Sequence, residues 1–415
     1  MKSYFEALII LFNSISNLNK KFDIDYVSIL NSKNEIAFES IYSNLNIPSF
    51  NNSAMDGYAF HFKQKNNFNS LNICYTITAG EFLEIDYLDY DFVIEIMTGA
   101  RLPNLFNSVI KFEDVFLINK KYLEIKFINK IKINDNIKFI GEDIKKNFLV
   151  LEKGNVINLS HNLILSSIGL NNLNVCIKPN LYILCSGNEI NNNFLKINYL
   201  KNVFIFDSIS SYIYNFFKLF NFKVYNIGTT KDNFQFFFKK IQFLFLSKYL
   251  SIFLTVGAVS VGILDFIPKS LKLIGSKFFF HKVKIKPGKP ILFGRINNYL
   301  YFFGLPGNPI SSIVGIRFFV YPFLRFILGL SFEEPIKGFL TFNYNNIIIK
   351  KKNLFLKGFY YYKDAIIYVN ILDEQESFKV NNMLISNCFI FLKNFNNSNN
   401  NNLLDLFFYY PNFYN

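Results

Sequence analysis

The sequence contains no tryptophan and few residues that could build a metal cluster or a disulfide framework. Only 4 cysteines and 3 histidines occur among 415 residues, and no two cysteines form a CxxC pair. This spacing argues against a zinc site and favours a reduced, cytoplasmic chain. Charged residues are also scarce at 18%, while hydrophobic residues reach 51%, so general disorder is excluded. We expect a globular protein of two to four domains.

The net charge is nevertheless +14. A basic balance is compatible with nucleic acid, a membrane surface or phosphate-bearing ligands as partners, and lysine is abundant together with asparagine and isoleucine throughout the chain. The many aromatic residues look like core residues, so we expect no nucleic acid partner. Residues 296–316 carry no charge, but GLPGNP would break a spanning helix, so we expect no membrane span.

The pattern of apolar runs predicts several domains. From residue 179 to 330, short β-rich runs alternate with amphipathic helical stretches, which is typical of a doubly wound α/β domain. Residues 48–140 predict a mostly β domain, and residues 335–415 a C-terminal β barrel or sandwich. Residues 1–47 look helical, and together with residues 141–178 they predict a small discontinuous helical domain.

Four segments contain residues that could carry chemistry. The first is SAMDGYA, from Ser53 to Ala59, where Gly57 would allow a close backbone approach to a ligand and Asp56 offers a carboxylate. The same residues also suit a plain turn in which Asp56 caps its own backbone. Residue types alone favour the turn.

The second segment is HKVKIKPGKP, residues 281–290. On an extended strand Lys282, Lys284 and Lys286 would share one face, with Lys289 following after a Pro-Gly turn. Clustered ammonium groups could hold a phosphate or another oxyanion. The alternative is a solvated edge strand guarded by lysines.

The third and fourth segments follow predicted strands. In LPGNPISS, Asn308 at the N-cap and Pro309 at the first helical position predict a helix start whose free N–H groups suit an anion, with Ser311 in the first turn. In TVGAVSVGILDF, a glycine-rich turn after a strand lies where α/β sheets bind ligands. Both segments could equally be ordinary caps and turns, and Asp265 could be a helix N-terminal charge.

Taken together, these segments resemble the MoeA family and the related E domain of gephyrin. The resemblance runs in order through nearly the whole chain, and it rests on NIPSFNNSAMDGYAF, ITAGE, IEIMTGARLP, SVIKFEDV, GEDIKK, SGNEI, GAVSVGILDF, KPGKPILFG, GLPGNPISS and SNCFIFLKN. It implies a molybdopterin molybdenumtransferase, which converts adenylylated molybdopterin and molybdate to molybdenum cofactor and AMP with Mg²⁺ or another divalent cation. It also implies a homodimer whose site lies between the α/β domain of one subunit and the β domain of the other.

The resemblance also assigns roles by position. It implies catalytic roles for Asp56, Asp143, Glu189 and Asp265, with Asp56 acting across the dimer and with Glu189 and Asp265 as metal ligands. The positions that it implies for substrate and oxyanion binding are Ser53, Gly257, Ser260, Lys286, Lys289, Pro290, Asn308 and Ser311. The upstream molybdopterin adenylyltransferase is a candidate partner beside the small-molecule substrates.

Some positions depart from the family pattern. Asn188 stands where a carboxylate is usual in SGNEI, Ala258 stands where a second glycine is usual, and Asn107 replaces a common aspartate. These departures leave open an alternative function as a non-catalytic molybdopterin-binding scaffold. None of them removes Asp56, Asp143, Glu189, Asp265 or Lys289, so we expect activity to be retained.

Overall fold

The structure is a computed structural model of the chain. It describes residues 1–16, 23–62, 71–85, 92–119, 121–125, 132–190, 205–259, 266–341, 353–393 and 403–411. The chain divides into two units. Unit 1 comprises Met1–Tyr26, Asn34–Phe38 and Asn174–Asn415, and unit 2 comprises Val27–Lys33 and Glu39–Leu173.

The described residues form both helices and strands. The helices are α1 (Tyr4–Ser16), α2 (Leu159–Ser167), α3 (Ser208–Lys218), α4 (Phe234–Ile241), α5 (Phe266–Leu273), α6 (Pro309–Gly315) and α7 (Tyr321–Ile327). The strands are β1 (Ile24–Ser28), β2 (Ile41–Tyr42), β3 (Asn52–Ser53), β4 (Gly57–Phe60), β5 (Leu71–Ile77), β6 (Phe92–Ile96), β7 (Ser108–Lys111), β8 (Val115–Asn119), β9 (Tyr122–Ile125), β10 (Ile137–Lys138), β11 (Leu149–Leu151), β12 (Asn172–Cys176), β13 (Asn180–Ser186), β14 (Val224–Thr230), β15 (Ser251–Val256), β16 (Lys277–His281), β17 (Ile285–Lys286), β18 (Leu292–Arg295), β19 (Leu300–Leu305), β20 (Ile336–Leu340), β21 (Asn353–Lys363), β22 (Ile366–Ile371), β23 (Cys388–Leu392) and β24 (Leu403–Phe408).

The centre of unit 1 is a six-stranded sheet in the order β14-β13-β15-β19-β18-β16. Strands β14, β13, β15 and β19 run parallel, and β18 and β16 are antiparallel. Every residue of β15 and β19 is buried, which explains why SIFLTV and LYFFGL are continuous apolar runs rather than alternating ones. The chain passes from β13 to β14 on one side and then to β15 on the other, so the strand order reverses at β13. Ligands of such sheets bind at the carboxyl ends of the strands beside this reversal.

The C-terminal part of unit 1 is a β barrel. Strands β21, β22, β20, β24 and β23 pair in that order, and β21 also pairs with β23, which closes the ring. Closure leaves no free edge among these strands, and their inward side chains form an apolar core. Short strand β17 of the lysine-rich segment pairs with β21 at Ile285 and Lys286.

Unit 2 is built on a six-stranded sheet in the order β7-β4-β6-β5-β9-β8. Two apolar clusters pack on it, one around Tyr58 and Phe60 and the other around Ala59 and Ile94. Neighbouring residues of β4 thus belong to different clusters because successive side chains of a strand point to opposite faces.

The multi-domain α/β plus β architecture is confirmed, and the described residues from β13 to α5 alternate strands with helices as the sequence indicated. The finer domain boundaries stay a prediction. Helix was predicted for residues 1–47, but among the described ones only Tyr4–Ser16 is α-helical, since Ile24–Ser28 and Ile41–Tyr42 are strands. The predicted Asn-rich loop at residues 394–402 lies outside the described residues.

One continuous helical stretch, Pro309–Ile327, joins α6 and α7 through a π-helical segment and is long and apolar enough to span a membrane. The protein's own fold surrounds it, because 94% of its apolar window is buried. Two arginines of this stretch, Arg317 and Arg325, have fully buried side chains. The Arg317 guanidinium pairs with Glu333 at 2.6 Å and donates from Nε to the Phe408 carbonyl at 2.9 Å, while Arg325 donates to Ser331.

We predict that Glu333→Gln destabilises the protein by about 3 kcal/mol, because it leaves the buried Arg317 cation without its counter-charge. Chemical denaturation of the variant measures the loss. Neighbouring Glu334 is exposed, so Glu334→Gln is the matched control and should change the free energy of unfolding by less than about 0.5 kcal/mol. Equal effects of the two variants would show that the Arg317 pair contributes nothing specific.

Candidate functional site

The SAMDGYA segment of unit 2 forms an ordered loop with Asp56 at its exposed tip. The Ser53 amide donates to the Ala100 carbonyl at 3.0 Å, and the Gly99 amide donates to the Ser53 carbonyl at 2.9 Å. Asp56 Oδ1 accepts the Thr98 amide at 2.7 Å and the Thr98 hydroxyl at 2.8 Å. These two bonds hold the Asp56 carboxylate against MTGA, and they lower its pKa below the ordinary value.

Gly57 has a different purpose from the one predicted. A Cβ atom at Gly57 would lie 1.9 Å from the Ile110 carbonyl oxygen of the neighbouring strand β7. The glycine therefore permits the close approach of the protein's own backbone, and its role toward a ligand stays a prediction. The loop's geometry depends on this contact, because Gly57 begins strand β4 directly after Asp56.

Asp143 belongs to the same unit. Its amide donates to the Ile47 carbonyl at 3.0 Å, and its side chain is exposed. The Ile140 amide donates to Asn51 Oδ1 at 2.8 Å, so the GED turn is tied to the segment that leads into SAMDGYA. Ser53, Asp56 and Asp143 thus lie on two segments that are linked by a hydrogen bond.

In unit 1 the carboxyl ends of three parallel strands meet around Gly257. A Cβ atom at Gly257 would lie 2.4 Å from the carbonyl oxygen of Ser186, which ends β13. A Cβ atom at Gly307, which follows β19, would lie 3.8 Å from Gly257 Cα. The Gly257 amide donates to the Leu305 carbonyl at 3.0 Å. This is the edge of the sheet beside the reversal of strand order, so the sequence-predicted glycine turn does lie where α/β sheets bind ligands.

The hydroxyl of Ser186 is unusual, and it lies where the ends of β13, β15 and β19 meet. The residue is 3% exposed, and within the part of the chain that the structure describes its Oγ has no hydrogen-bond partner. A buried hydroxyl without a partner is costly and calls for a water or ligand to satisfy it. Residue types did not single out Ser186, because a serine after an apolar strand is common.

Glu189 lies three residues after Ser186, and its carboxylate could bind a cation. Its carboxylate lies over Gly187, since a Cβ atom there would be 2.6 Å from Glu189 Oε2. Burial raises the pKa of the nearby Cys185 thiol, and the Asp207 and Glu189 carboxylates raise it further. Among the described residues no group of three or more histidine, cysteine or acidic side chains could hold a metal. Mg²⁺ often takes only one or two protein carboxylates, so Glu189 fits as one such ligand.

Asp265 and Ser260 were predicted to complete this region as catalytic, metal and substrate residues. Both lie outside the described residues, as does the rest of 260–265. The helix expected after them is present as α5.

The KPGKP turn packs against the first turn of α6. A Cβ atom at Gly288 would lie 3.3 Å from the Ser311 carbonyl oxygen, and Gly288 has φ of +96°. Lys286 and Lys289 are exposed on either side of this glycine, and Pro290 is half-buried. KPGKP and LPGNP, the two segments that were predicted to bind an anion, therefore form one surface.

The predicted stripe of three lysines is not continuous. Lys282 has φ of +72°, in the left-handed region, so the extended backbone is interrupted directly after β16. Lys284 and Lys286 do alternate with buried Val283 and Ile285, as an extended segment requires. Only these two lysines share the predicted face.

The start of α6 agrees with the sequence, with Asn308 at the N-cap and Pro309 next to it. Its amides are not all free, however. Asn308 Nδ2 donates to Ser377 Oγ at 3.2 Å, and the Ile310 amide donates to the Ser377 carbonyl at 3.1 Å. Ser377, on a loop of the barrel, therefore borders the predicted oxyanion site.

The Ser377 loop is held by a buried lysine. Lys357 is 1% exposed, and its ammonium donates to the carbonyls of Glu376 and Lys379, each at 3.3 Å. Burial lowers the pKa of Lys357. Gln375 Nε2 donates to the Lys357 carbonyl at 2.9 Å. Sequence reasoning missed both Ser377 and Lys357, because no residue pattern joins them to LPGNP and only the fold brings them there.

Comparisons with known proteins find relatives over most of the chain. Residues 2–169 match the MoeA N-terminal region (domain I and II), and residues 182–325 match the probable molybdopterin binding domain. A molybdopterin molybdenumtransferase of Haemophilus influenzae is 31% identical over 374 residues, covering 89% of each chain. One of Staphylococcus aureus is 28% identical, covering 73% of this chain and 71% of its own. A molybdopterin biosynthesis MoeA structure from Pyrococcus horikoshii has a TM-score of 0.75 at 21% identity and covers 98% of this chain and 99% of its own.

The two bonds from Thr98 predict a low pKa for Asp56, so its carboxylate stays charged as pH falls through the ordinary range of aspartate. Thr98→Val removes the hydroxyl and keeps the amide, so we expect the Asp56 pKa to rise part of the way to its ordinary value. Carbon-detected NMR titration of the Asp56 carboxylate measures this pKa. Thr76→Val, which removes a hydroxyl bonded to Glu95, is the control and should leave Asp56 unchanged. An unchanged Asp56 pKa in Thr98→Val would disprove the assignment.

Ala258 has φ of +49°, where an L-residue is strained and glycine is not. We therefore expect Ala258→Gly to keep or raise the free energy of unfolding, by up to about 1 kcal/mol. Ala7→Gly, inside α1, should lower the free energy of unfolding by roughly 1 kcal/mol. Denaturant titration compares the two variants, and a loss at Ala258 as large as that at Ala7 would contradict the strain.

Proposed function

This chain belongs to the molybdopterin molybdenumtransferase family, and we propose that it inserts molybdate into adenylylated molybdopterin, with release of AMP and formation of molybdenum cofactor. It is a transferase of molybdenum cofactor biosynthesis. The observation that carries the proposal is the surface formed by KPGKP and the start of α6, where a Cβ atom at Gly288 would lie 3.3 Å from the Ser311 carbonyl oxygen. Molybdate and both phosphate groups of the substrate are anions, so they need a cationic surface of this kind.

The proposed roles follow from chemistry. Lys286 and Lys289 would attract molybdate and phosphate, and the amides at the start of α6, with Asn308 and Ser311, would orient an oxygen of the anion. Pro290 fixes the end of the lysine turn. Ser377 would add a hydroxyl on the side that faces Asn308. These groups bind and position charge, which is where most of the rate enhancement of such transfers arises.

The carboxylates would act on the other half of the substrate. Glu189, with Asp265, would hold Mg²⁺ or another divalent cation, which would neutralise charge on the phosphoanhydride and on the leaving AMP. Gly257 and Ser260 would shape the cleft around the pterin, where Ser186 Oγ lacks a partner. Asp265→Asn should abolish turnover without unfolding the protein, and unchanged turnover would remove Asp265 from the mechanism.

We also propose a homodimer in which Ser53, Asp56 and Asp143 of one protomer complete the site of the other. Two exposed apolar patches support this, because each lies beside a site segment and would be covered on association. Unit 2 exposes Phe50, Met55 and Phe139 on the segments that carry Asp56 and Asp143, and unit 1 exposes Phe378, Leu384 and Ile385 on the loop that carries Ser377. A soluble, cytoplasmic enzyme that receives its substrate from a molybdopterin adenylyltransferase fits this function.

The non-catalytic scaffold is not favoured. Its support was Asn188 and Ala258, and neither change removes the lysines or the exposed carboxylates Asp56, Asp143 and Glu189. The curated relatives that cover most of the chain are named as transferases.

Purified protein, adenylylated molybdopterin and molybdate should release AMP in step with cofactor formation. Lys289→Gln should lower the rate about tenfold or more, because one charge-assisted contact to the oxyanion is lost. Lys284→Gln is the matched control, since Lys284 is exposed on the same segment but is not placed at the turn. Binding of both substrates without AMP release would instead favour the scaffold.

Mixed dimers test the site between protomers. Asp56→Asn and Lys289→Gln protomers, each of low activity alone, should regain up to about half of wild-type activity when combined, because one of the two sites is then intact. Mixing the two proteins after reversible dissociation and measuring AMP release gives the result. No gain in a verified mixed dimer would show that Asp56 and Lys289 do not serve one shared site.

A further inference from the structure

Strand β8 forms an edge of the unit 2 sheet. It pairs with β9, and among the strands that the structure describes none pairs with its other side. An edge strand of this kind presents backbone N–H and C=O groups to which another strand can bind. All of β8 lies in unit 2, and none of its residues belongs to the proposed site.

Three consecutive apolar side chains of β8 are exposed. Phe116 is 57% exposed, Leu117 is 61% exposed and Ile118 is 53% exposed. Leu117 pairs with Leu123 and so points to the same face of the sheet, but Leu123 is fully buried in the apolar core of that face and Leu117 is not. Phe116 points to the opposite face, because successive side chains of a strand alternate. Apolar surface is therefore exposed on both faces of this edge.

The alternative is an ordinary solitary edge strand. Such strands commonly carry a lysine, a proline or a bulge that discourages pairing with another chain. The sequence of β8 is VFLIN, which contains neither a charge nor a proline, but its register with β9 shifts between Leu117 and Asn119. This bulge lies at the end of the strand, so Val115, Phe116 and Leu117 keep regular pairing with β9 and remain a template for another strand.

The charges on either side of β8 complement each other. Glu113 lies four residues before Leu117, and Lys121 lies four residues after it, and both are exposed. In an antiparallel pair of β8 strands with a twofold axis at Leu117, each Glu113 lies beside Lys121 of the partner subunit. A parallel pair in register would bring like charges together instead. The charge pattern therefore favours an antiparallel pair of identical strands.

We propose that β8 is an interface between two copies of this chain, in which the two strands pair antiparallel about Leu117 and continue the unit 2 sheet from one copy into the other. Main-chain hydrogen bonds and the contact between the two Leu117 side chains stabilise the pair, and the contacts of Glu113 with Lys121 set its register. A stable interface buries about 800 Å² on each partner, which is more than a five-residue strand offers, so this association is weak. It is separate from the homodimer proposed above, which uses the segments of Asp56 and Asp143.

Sedimentation velocity of the full-length protein over a series of concentrations tests the interface. The wild type should reach at least twice the mass of its species at low concentration, whatever the size of that species. Leu117→Lys places two like charges opposite each other at the centre of the pair and should weaken the association about tenfold or more. Leu246→Lys is the matched control, since Leu246 is 83% exposed in unit 1, and it should associate as the wild type does. A wild-type mass that is independent of concentration, or equal effects of the two variants, would overturn the proposal.

Charge reversal tests the register. Glu113→Lys alone and Lys121→Glu alone should each weaken the association several-fold, because like charges then meet across the pair. An equimolar mixture of these two variants should recover wild-type association, because each introduced charge then lies beside its opposite in the other copy. The double variant Glu113→Lys/Lys121→Glu should recover it as well. Association that stays weak in both the mixture and the double variant would refute antiparallel pairing about Leu117.

Discussion

The close meeting of three backbone segments at Gly257 is the constraint on which unit 1 depends. A side chain at this position would collide with the Ser186 carbonyl, 2.4 Å from the place of its Cβ atom. Because β15 and β19 and the last four residues of β13 are buried, the ends of these parallel strands cannot separate without disrupting the core of the sheet. The loops after them therefore have fixed positions, and the groups on these loops are held in place for binding before any ligand arrives.

Positive charge surrounds this fixed centre on two sides. The KPGKP turn packs on the first turn of α6, and a cavity lined by lysines of α4 lies at the end of β14. A substrate that carries a pterin phosphate, an adenylate and a molybdate partner needs several anion sites at set distances. The fixed strand ends set the distances between these sites, and the long lysine side chains can reach the anions from them. Part of the charge of +14 thus lies on these two elements.

Much of unit 1 could be predicted from the sequence because its signals are local. The alternation of β-rich runs with amphipathic stretches predicted the α/β domain that contains β13, β14 and β15, and Asn308-Pro309 predicted the start of α6. The contact of Gly288 with Ser311 could not be derived, since residue types left both segments with equally good structural explanations. Ser377 and Lys357 were missed because the barrel brings them to α6 from far along the chain. The lysine stripe failed at Lys282, where a positive φ interrupts the strand.

The central claim is that the turn carrying Lys289 and the first turn of α6 hold the oxyanion that is transferred. Anomalous X-ray diffraction from crystals soaked in tungstate, a heavier analogue of molybdate, tests it most directly. The strongest anomalous peak is expected within hydrogen-bond distance of Lys289 Nζ and the first turn of α6, and it should vanish in Lys289→Gln crystals. Tungstate bound away from both elements, or bound equally well in the variant, would contradict the claim.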